Sequence, residues 1–156
     1  MPASQTRPTA KNSSPFASWK VDHAGIRAPD FDQAVAWYVD TLDFRLLKSV
    51  SIGALTFGFI APAADDSFSF EILAGPGAGA RPPYEDLHGS YNLLGWHHLG
   101  IRVDDVDAAV AELKRRGVKI VSEPHDVAVM GLRLAFFADP WGNLLEVIAP
   151  MDHSAK

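Results

Sequence analysis

Two stretches of the chain repeat one order of apolar and polar positions. Alternation over residues 21–27, and again over residues 97–103, predicts two half-buried strands. An apolar stripe with helical spacing follows each strand, and Asp30 or Asp105 precedes it in the position of a helix N-cap. The stripes consist of Phe31, Val35, Tyr38 and Leu42 in the first stretch and of Val106, Val110 and Leu113 in the second. Each stretch therefore predicts a strand followed by a helix that packs on a sheet.

Short apolar segments, separated by Gly, Pro and Asp turns, follow both helices and predict three further strands in each half. These segments span residues 44–51, 54–61 and 67–73, and then 118–123, 127–138 and 143–149. The predicted order is βαβββ, twice, which makes the chain an α+β protein with module one at residues 19–74 and module two at residues 96–150. The Gly- and Pro-rich connection between them, residues 75–95, predicts neither helix nor strand, and its length is typical of a functional lid or a crossover.

The two halves also align residue by residue. The stretches "VDHAGIRAPDFDQAVAWY" and "WHHLGIRVDDVDAAVAEL" share His, Gly, Ile, Arg, Asp and a later Ala-Val-Ala. His23 aligns with His98, and the same sequence offset aligns Glu71 in "FEIL" with Glu146 in "LEVI". A glutamate that recurs in an apolar strand needs a chemical reason, because burying an unpaired carboxylate is costly.

Of the adjacent histidines His97 and His98, only His98 has a histidine counterpart, because His97 aligns with Asp22. Side chains alternate along a strand, so we expect the two to point to opposite faces. The chain contains no cysteine, and a metal would therefore be held by nitrogen and oxygen alone. Two imidazoles and two carboxylates suit one divalent ion of Fe, Mn, Co, Ni or Zn and balance its charge.

The composition of the 156-residue chain narrows the kind of partner. Its net charge is −5 and it has no lysine or arginine cluster, which argues against nucleic acid and anionic membranes and favours a small molecule. No apolar run is long enough to span a bilayer, and the N-terminus lacks an apolar signal stretch, so a cytoplasmic location is expected. Residues 1–17 and 151–156 are polar, and we expect both to be tails, the first of them disordered.

A duplicated βαβββ unit with histidine on the first strand, glutamate on the last strand and a "DPWGNLLE" ending resembles the vicinal oxygen chelate superfamily. That superfamily includes glyoxalase I, methylmalonyl-CoA epimerase, extradiol dioxygenases and the fosfomycin and bleomycin resistance proteins, and the likeness spans residues 19–150. It implies that the two modules form a curved half-barrel sheet around one metal ion. The ligands that the resemblance implies are His23, Glu71, His98 and Glu146.

Three functions are compatible with the resemblance. The four-ligand set is similar to that of the glyoxalases and epimerases, which implies a lyase or isomerase that transfers a proton next to a metal-bound carbonyl through an enediolate. Its substrate would be a small molecule with neighbouring carbonyl and hydroxyl oxygens. The resemblance implies that both glutamates take part in catalysis, Glu146 as the mobile base and Glu71 as the steadier ligand. An Fe(II) extradiol dioxygenase would need only His23, His98 and Glu146, and a drug-binding resistance protein would need no metal.

Substrate contacts are expected from Arg27, Arg102 and Tyr91. Arg27 matches the glutathione-contacting arginine of the glyoxalases, whereas Gly75 stands where the glutathione-using relatives have asparagine. Another hydroxycarbonyl substrate is therefore an open alternative to glutathione adducts. The resemblance also implies a homodimer, and it leaves open whether the two modules pair within one chain or across the dimer.

Overall fold

A computed structural model describes residues 14–151 of the chain. Its strands are β1 His23–Ala28, β2 Arg45–Ile52, β3 Leu55–Ala61, β4 Ser69–Ala74, β5 His98–Arg102, β6 Lys119–Val127, β7 Leu132–Ala138 and β8 Leu144–Pro150. Its helices are α1 Phe31–Leu42, α2 Leu87–Ser90 and α3 Val106–Arg115. Residues 1–13 and 152–156 of the two expected tails lie outside the described residues. The end of the first expected tail forms a turn in which the N–H of Ala17 donates to the carbonyl of Ser14.

The strands form two four-stranded sheets with the same order. One sheet runs β1-β4-β3-β2 and the other β5-β8-β7-β6, and in each the first and last strands of the module are parallel neighbours. The other neighbouring strands are antiparallel. Within residues 14–151, no strand of one sheet is hydrogen bonded to a strand of the other. The fold is therefore α+β with two βαβββ modules, as predicted, and both sheets are curved and open.

The two long helices begin where the sequence predicts. The carboxylate of Asp30 accepts a hydrogen bond from the N–H of Gln33 at 2.9 Å, and that of Asp105 accepts one from the N–H of Ala108 at 3.0 Å. Each cap satisfies an amide of the first turn that has no partner within the helix. All residues of the two predicted stripes are buried or packed against the core, so both stripes are confirmed.

One apolar core joins the two modules, and a buried polar contact crosses between them. The hydroxyl of Tyr38 on α1 donates to Asp139, at the turn before β8, at 2.9 Å. The other partners of Asp139 are the backbone N–H of Trp141, the backbone N–H of Asn143 and the side-chain amide of Asn143. Burial raises the pKa of Tyr38 and also that of Asp139. This turn of the "DPWGN" motif therefore anchors the start of β8 against module one.

Two predictions about irregular segments were wrong. The connection contains the short helix α2, because Asp86 caps it by accepting from the N–H of Gly89 and because Leu87 is buried among apolar residues of module two. The predicted strand at residues 127–138 starts only at Leu132, since a turn with Gly131 at φ +66° precedes it. None of the helices in residues 14–151 is long and apolar enough to cross a membrane.

Candidate functional site

Module one brings its repeated histidine and glutamate together across two parallel strands. Glu71 on β4 lies in register with Gly25 on β1, two residues after His23. The Nε2 atom of His23 lies 3.6 Å from the Oε2 atom of Glu71. Both side chains project from the sheet face opposite to the core, because Ile26 and Ala28 of the same strand pack into the core.

Module two builds the same pair with the same register. Glu146 on β8 lies opposite Gly100 on β5, two residues after His98. The Nε2 atom of His98 lies 3.5 Å from the Oε2 atom of Glu146. The repeat in the sequence thus reproduces a local geometry, and each module carries one such His–Glu pair.

The glycines that the repeat shares leave room for the carboxylates. A Cβ atom at Gly25 would lie 3.6 Å from Oε2 of Glu71, and one at Gly100 would lie only 3.1 Å from Oε2 of Glu146. Each carboxylate therefore reaches across a strand position that has no side chain and approaches the histidine beyond it. The contact is tighter in module two.

A phenylalanine completes each pair from the next strand, and the sequence alignment does not reveal it. Phe59 lies opposite Glu71, and Phe136 lies opposite Glu146. Their rings meet the imidazoles edge to face, at 5.2 Å from His23 and 5.1 Å from His98 between ring centroids. The spacing between the two phenylalanines is slightly larger than that between the two histidines, so an alignment at one fixed offset misses them. They can be found by taking the residue that pairs with each glutamate on the neighbouring antiparallel strand.

The residue before each histidine contacts the other ring nitrogen. Asp22 places Oδ2 2.8 Å from Nδ1 of His23, and His97 places its own Nδ1 2.8 Å from Nδ1 of His98. Asp22 and His97 therefore make the same contact although they differ chemically. The expectation that His97 and His98 point to opposite faces was wrong, because His97 precedes β5 and its ring contacts that of His98. His97 also contacts the buried hydroxyl of Ser90, with 2.9 Å between its Nε2 and Oγ.

The two glutamates differ in their surroundings. The side chain of Glu146 is 11% exposed and that of Glu71 is 23% exposed. Burial raises the pKa of Glu146, and the nearby His98 works in the opposite direction. A carboxylate whose pKa is raised by burial holds a proton more readily than an exposed glutamate, which makes Glu146 the better candidate for a proton acceptor.

Each pair fits as half of a metal site. Two donors at about 2.1 Å from one ion lie about 3.5 Å apart when the angle between them is roughly 115°, and the Nε2–Oε2 distances are 3.6 and 3.5 Å. Within residues 14–151, no cluster of three or more His, Asp or Glu side chains is arranged to hold a metal. The four-ligand site with His23, Glu71, His98 and Glu146 therefore stays a prediction. Both histidines line one cleft of about 610 Å³.

The residues expected to bind substrate lie in different settings. The guanidinium of Arg27 donates to the carbonyls of Ala28, Leu73, Gly75 and Pro76, at 2.5 to 3.0 Å, and so fastens the start of the connection. Arg102 is exposed on the strand that carries His98. Tyr91 is 60% exposed, and its ring centroid is 5.3 Å from that of His97. Their substrate contacts stay predictions.

Gly75, the departure from the glutathione-using pattern, has a structural reason. Its backbone φ is +142°, and a Cβ atom there would lie 2.5 Å from the carbonyl oxygen of Ala54. An asparagine would clash with this backbone and strain its own, so the local fold requires glycine.

Comparison with known proteins identifies the family. The family model described as "Glyoxalase/Bleomycin resistance protein/Dioxygenase superfamily" matches residues 20–147. The chain belongs to this superfamily. The match covers nearly all of both modules and the whole connection between them, and it agrees with the resemblance based on the repeated histidines and glutamates.

Relatives within the superfamily include both enzymes and a binding protein. A 2-epi-5-epi-valiolone epimerase from Actinomyces sp. is 30% identical over 152 residues, with 82% of this chain and 78% of the relative covered. A "Probable lactoylglutathione lyase, chloroplastic" from Arabidopsis thaliana is 29% identical over 130 residues, with 81% of this chain and 34% of the plant protein covered. The solved structure of TnmS3, described as an antibiotic binding protein from Streptomyces sp. CB03234, has a TM-score of 0.61 at 26% identity, with 85% of this chain and 96% of that one covered.

Proposed function

We propose that the protein is a divalent-metal-dependent isomerase or lyase that moves a proton on the carbon next to a carbonyl of a small hydroxycarbonyl substrate. The observation that carries the proposal is the duplicated His–Glu pair, with 3.6 and 3.5 Å between donor atoms. Glu71 favours this reaction class over ring cleavage, because the dioxygenase alternative needs no carboxylate at that position. The epimerase and lyase names among the relatives support the same class.

In this proposal His23, Glu71, His98 and Glu146 hold one ion of Fe, Mn, Co, Ni or Zn. A divalent ion bound there would supply Lewis-acid polarisation of the substrate carbonyl. Glu146 takes the proton from the adjacent carbon and returns it, since it is the more buried of the two glutamates and lies beside His98. Phe59 and Phe136 pack edge to face against the two histidines and so limit the orientations that each imidazole can take.

The proposal requires the two His–Glu pairs to meet, either by closure of the modules within one chain or across a homodimer. Exposed apolar side chains on the edge strand β2 support a second copy as a partner, because such residues favour contact over exposure. They are Leu46, Leu47, Val50 and Ile52. A dimer would cover this strand, and analytical ultracentrifugation would measure the mass of the assembly in solution.

Subunit complementation separates the two arrangements. His23→Ala and His98→Ala chains are co-expressed with different affinity tags, and the mixed dimer is isolated. If the metal site spans the dimer, each mixed dimer contains one intact site, because one chain supplies an unaltered His23 and the other an unaltered His98. A site within one chain stays empty in both subunits. Metal content by mass spectrometry distinguishes these results, and a monomer in solution would contradict the dimer.

The reaction class is tested by turnover of a panel of hydroxycarbonyl compounds with and without oxygen. A proton-transfer enzyme works equally in both conditions and introduces deuterium next to the carbonyl when the solvent is deuterium oxide and the site exchanges with it. Consumption of one O2 per turnover would replace the proposal with the extradiol dioxygenase.

One observation favours a second candidate, a binding protein without catalysis. The antibiotic binding protein TnmS3 shares the fold across 85% of this chain. The cleft that contains both histidines also offers the aromatic residues Phe68 and Trp96 for contact with a planar ligand. Tight binding of an aromatic drug by metal-free protein, without turnover of any panel member, would favour this candidate.

A further inference from the structure

The hydrogen bonds around Ser90 and His97 determine where a proton must lie. The short helix α2 ends at Ser90, which is fully buried, and the Ser90 hydroxyl donates to the carbonyl of Leu87 at 2.5 Å. A hydroxyl has one hydrogen, so the Oγ atom of Ser90 can only accept in its second contact. That contact is with Nε2 of His97 at 2.9 Å. His97 therefore carries its proton on Nε2.

The proton position on His97 in turn determines the proton position on His98, the candidate ligand. A neutral imidazole with its proton on Nε2 is an acceptor at Nδ1. The Nδ1 atom of His97 lies 2.8 Å from Nδ1 of His98, and a hydrogen bond between them requires the proton to come from His98. The lone pair of His98 then lies on Nε2, 3.5 Å from Oε2 of Glu146, and a cation between these two acceptor atoms would satisfy both.

We propose that Ser90 and His97 are positioning residues that hold His98 in the Nδ1-protonated tautomer, so that Nε2 is available as a metal ligand. This inference rests on the proposed function for the identity of the ligand. Hydrogen-bond partners on the far nitrogen of a histidine fix its tautomer and ring orientation in this way. Ser90 belongs to the connection, so the connection helps to build the site from outside the cleft.

Module one achieves the same result by simpler means. The carboxylate of Asp22 has no proton to donate, so the contact of 2.8 Å requires His23 to donate from Nδ1. A carboxylate at position 97 should therefore replace the His97–Ser90 pair. This provides a rescue variant that a merely structural role for His97 would not predict.

The test combines a tautomer measurement with metal binding. Nitrogen-15 NMR of the metal-free wild-type protein should show the proton of His98 on Nδ1 and that of His97 on Nε2. In His97→Phe, titration with Zn(II) alone should show an affinity about 10- to 100-fold lower, because the ring of His98 loses its acceptor. His97→Asp should stay within a few-fold of wild type. His88→Phe, a matched change at an exposed histidine within α2, should have no effect.

Two results would overturn the inference. One is a wild-type spectrum in which His98 is protonated on Nε2, and this measurement needs no variant to fold. The other is a folded His97→Phe protein with wild-type Zn(II) affinity. If the wild-type protein binds no Fe(II), Zn(II), Co(II), Ni(II) or Mn(II), the proposed function fails, while the NMR spectrum still decides whether Ser90 and His97 set the tautomer of His98.

Discussion

The two modules carry the same pair of side chains but enclose them to different degrees. In module one, His23 is oriented by Asp22, whose side chain is 88% exposed. In module two, His98 is oriented by His97 and the fully buried Ser90, and Glu146 is less exposed than Glu71. The duplication has thus preserved the donor atoms and changed their environment. We infer that both modules hold the ion and that module two also moves the proton.

The largest difference between the modules should appear in catalysis. Glu146→Gln should lower kcat by about 10²- to 10⁴-fold, the range expected when a positioned base is removed. Glu71→Gln should lower metal affinity more than it lowers kcat at saturating metal. The measurement is steady-state kinetics on a substrate identified from the panel, with metal content recorded for each variant. Full turnover by metal-loaded Glu146→Gln would end the assignment of Glu146 as base.

Metal binding should depend on both modules equally. His23→Ala and His98→Ala should each lower Zn(II) affinity by at least about 100-fold, since loss of a direct donor exceeds the roughly 10- to 100-fold lost with an outer hydrogen-bond partner. Isothermal titration checks the affinity, and circular dichroism checks that each variant is folded. Wild-type occupancy in His98→Ala and Glu146→Ala together would contradict the four-ligand site.

The glycines provide a finer comparison. In Gly100→Ala the new Cβ, 3.1 Å from Oε2 of Glu146, should push the carboxylate from its rotamer at a cost of about 0.5–1.5 kcal/mol. This corresponds to roughly a two- to tenfold loss of Zn(II) affinity. Gly25→Ala, with 3.6 Å to Oε2 of Glu71, should change affinity less than Gly100→Ala. Equal losses in the two variants would show that the difference in packing has no consequence.

The smallest effect should be a pH dependence of stability in metal-free protein. Burial raises the pKa of Glu146 above the ordinary value of 4.5. The folded state then retains a proton that the unfolded state releases, so the free energy of unfolding should fall as pH rises from about 4.5 through the raised pKa. Glu146→Gln should show a shallower fall over the same range. Urea unfolding at several pH values measures the free energy of unfolding of both proteins. If it depends on pH in the same way in wild type and in Glu146→Gln, the pKa shift of Glu146 is contradicted.

The sequence predicted much of this structure because the strongest signals were local. Asp30 and Asp105 cap their helices through contacts only three residues away in the sequence. His23 and Glu71 of module one recur in module two as His98 and Glu146 at one sequence offset. Phe59 and Phe136 were missed because loops of unequal length shift their offset. Ser90 was missed because its contact with His97 depends on how α2 packs. A repeat also describes each module alone, so the sequence could not predict how far apart the two pairs lie.

The parallel pairing of β1 with β4, and of β5 with β8, has a consequence for the order of folding. Each histidine is separated from its glutamate by most of a module, whereas β2–β3 and β6–β7 are joined by short turns. Contacts between distant parts of a chain form later, because a larger loop must close. We therefore expect pulsed hydrogen exchange to protect the hairpins first and the His–Glu strands last. A newly made chain would then acquire its affinity for metal only as each module completes its fold.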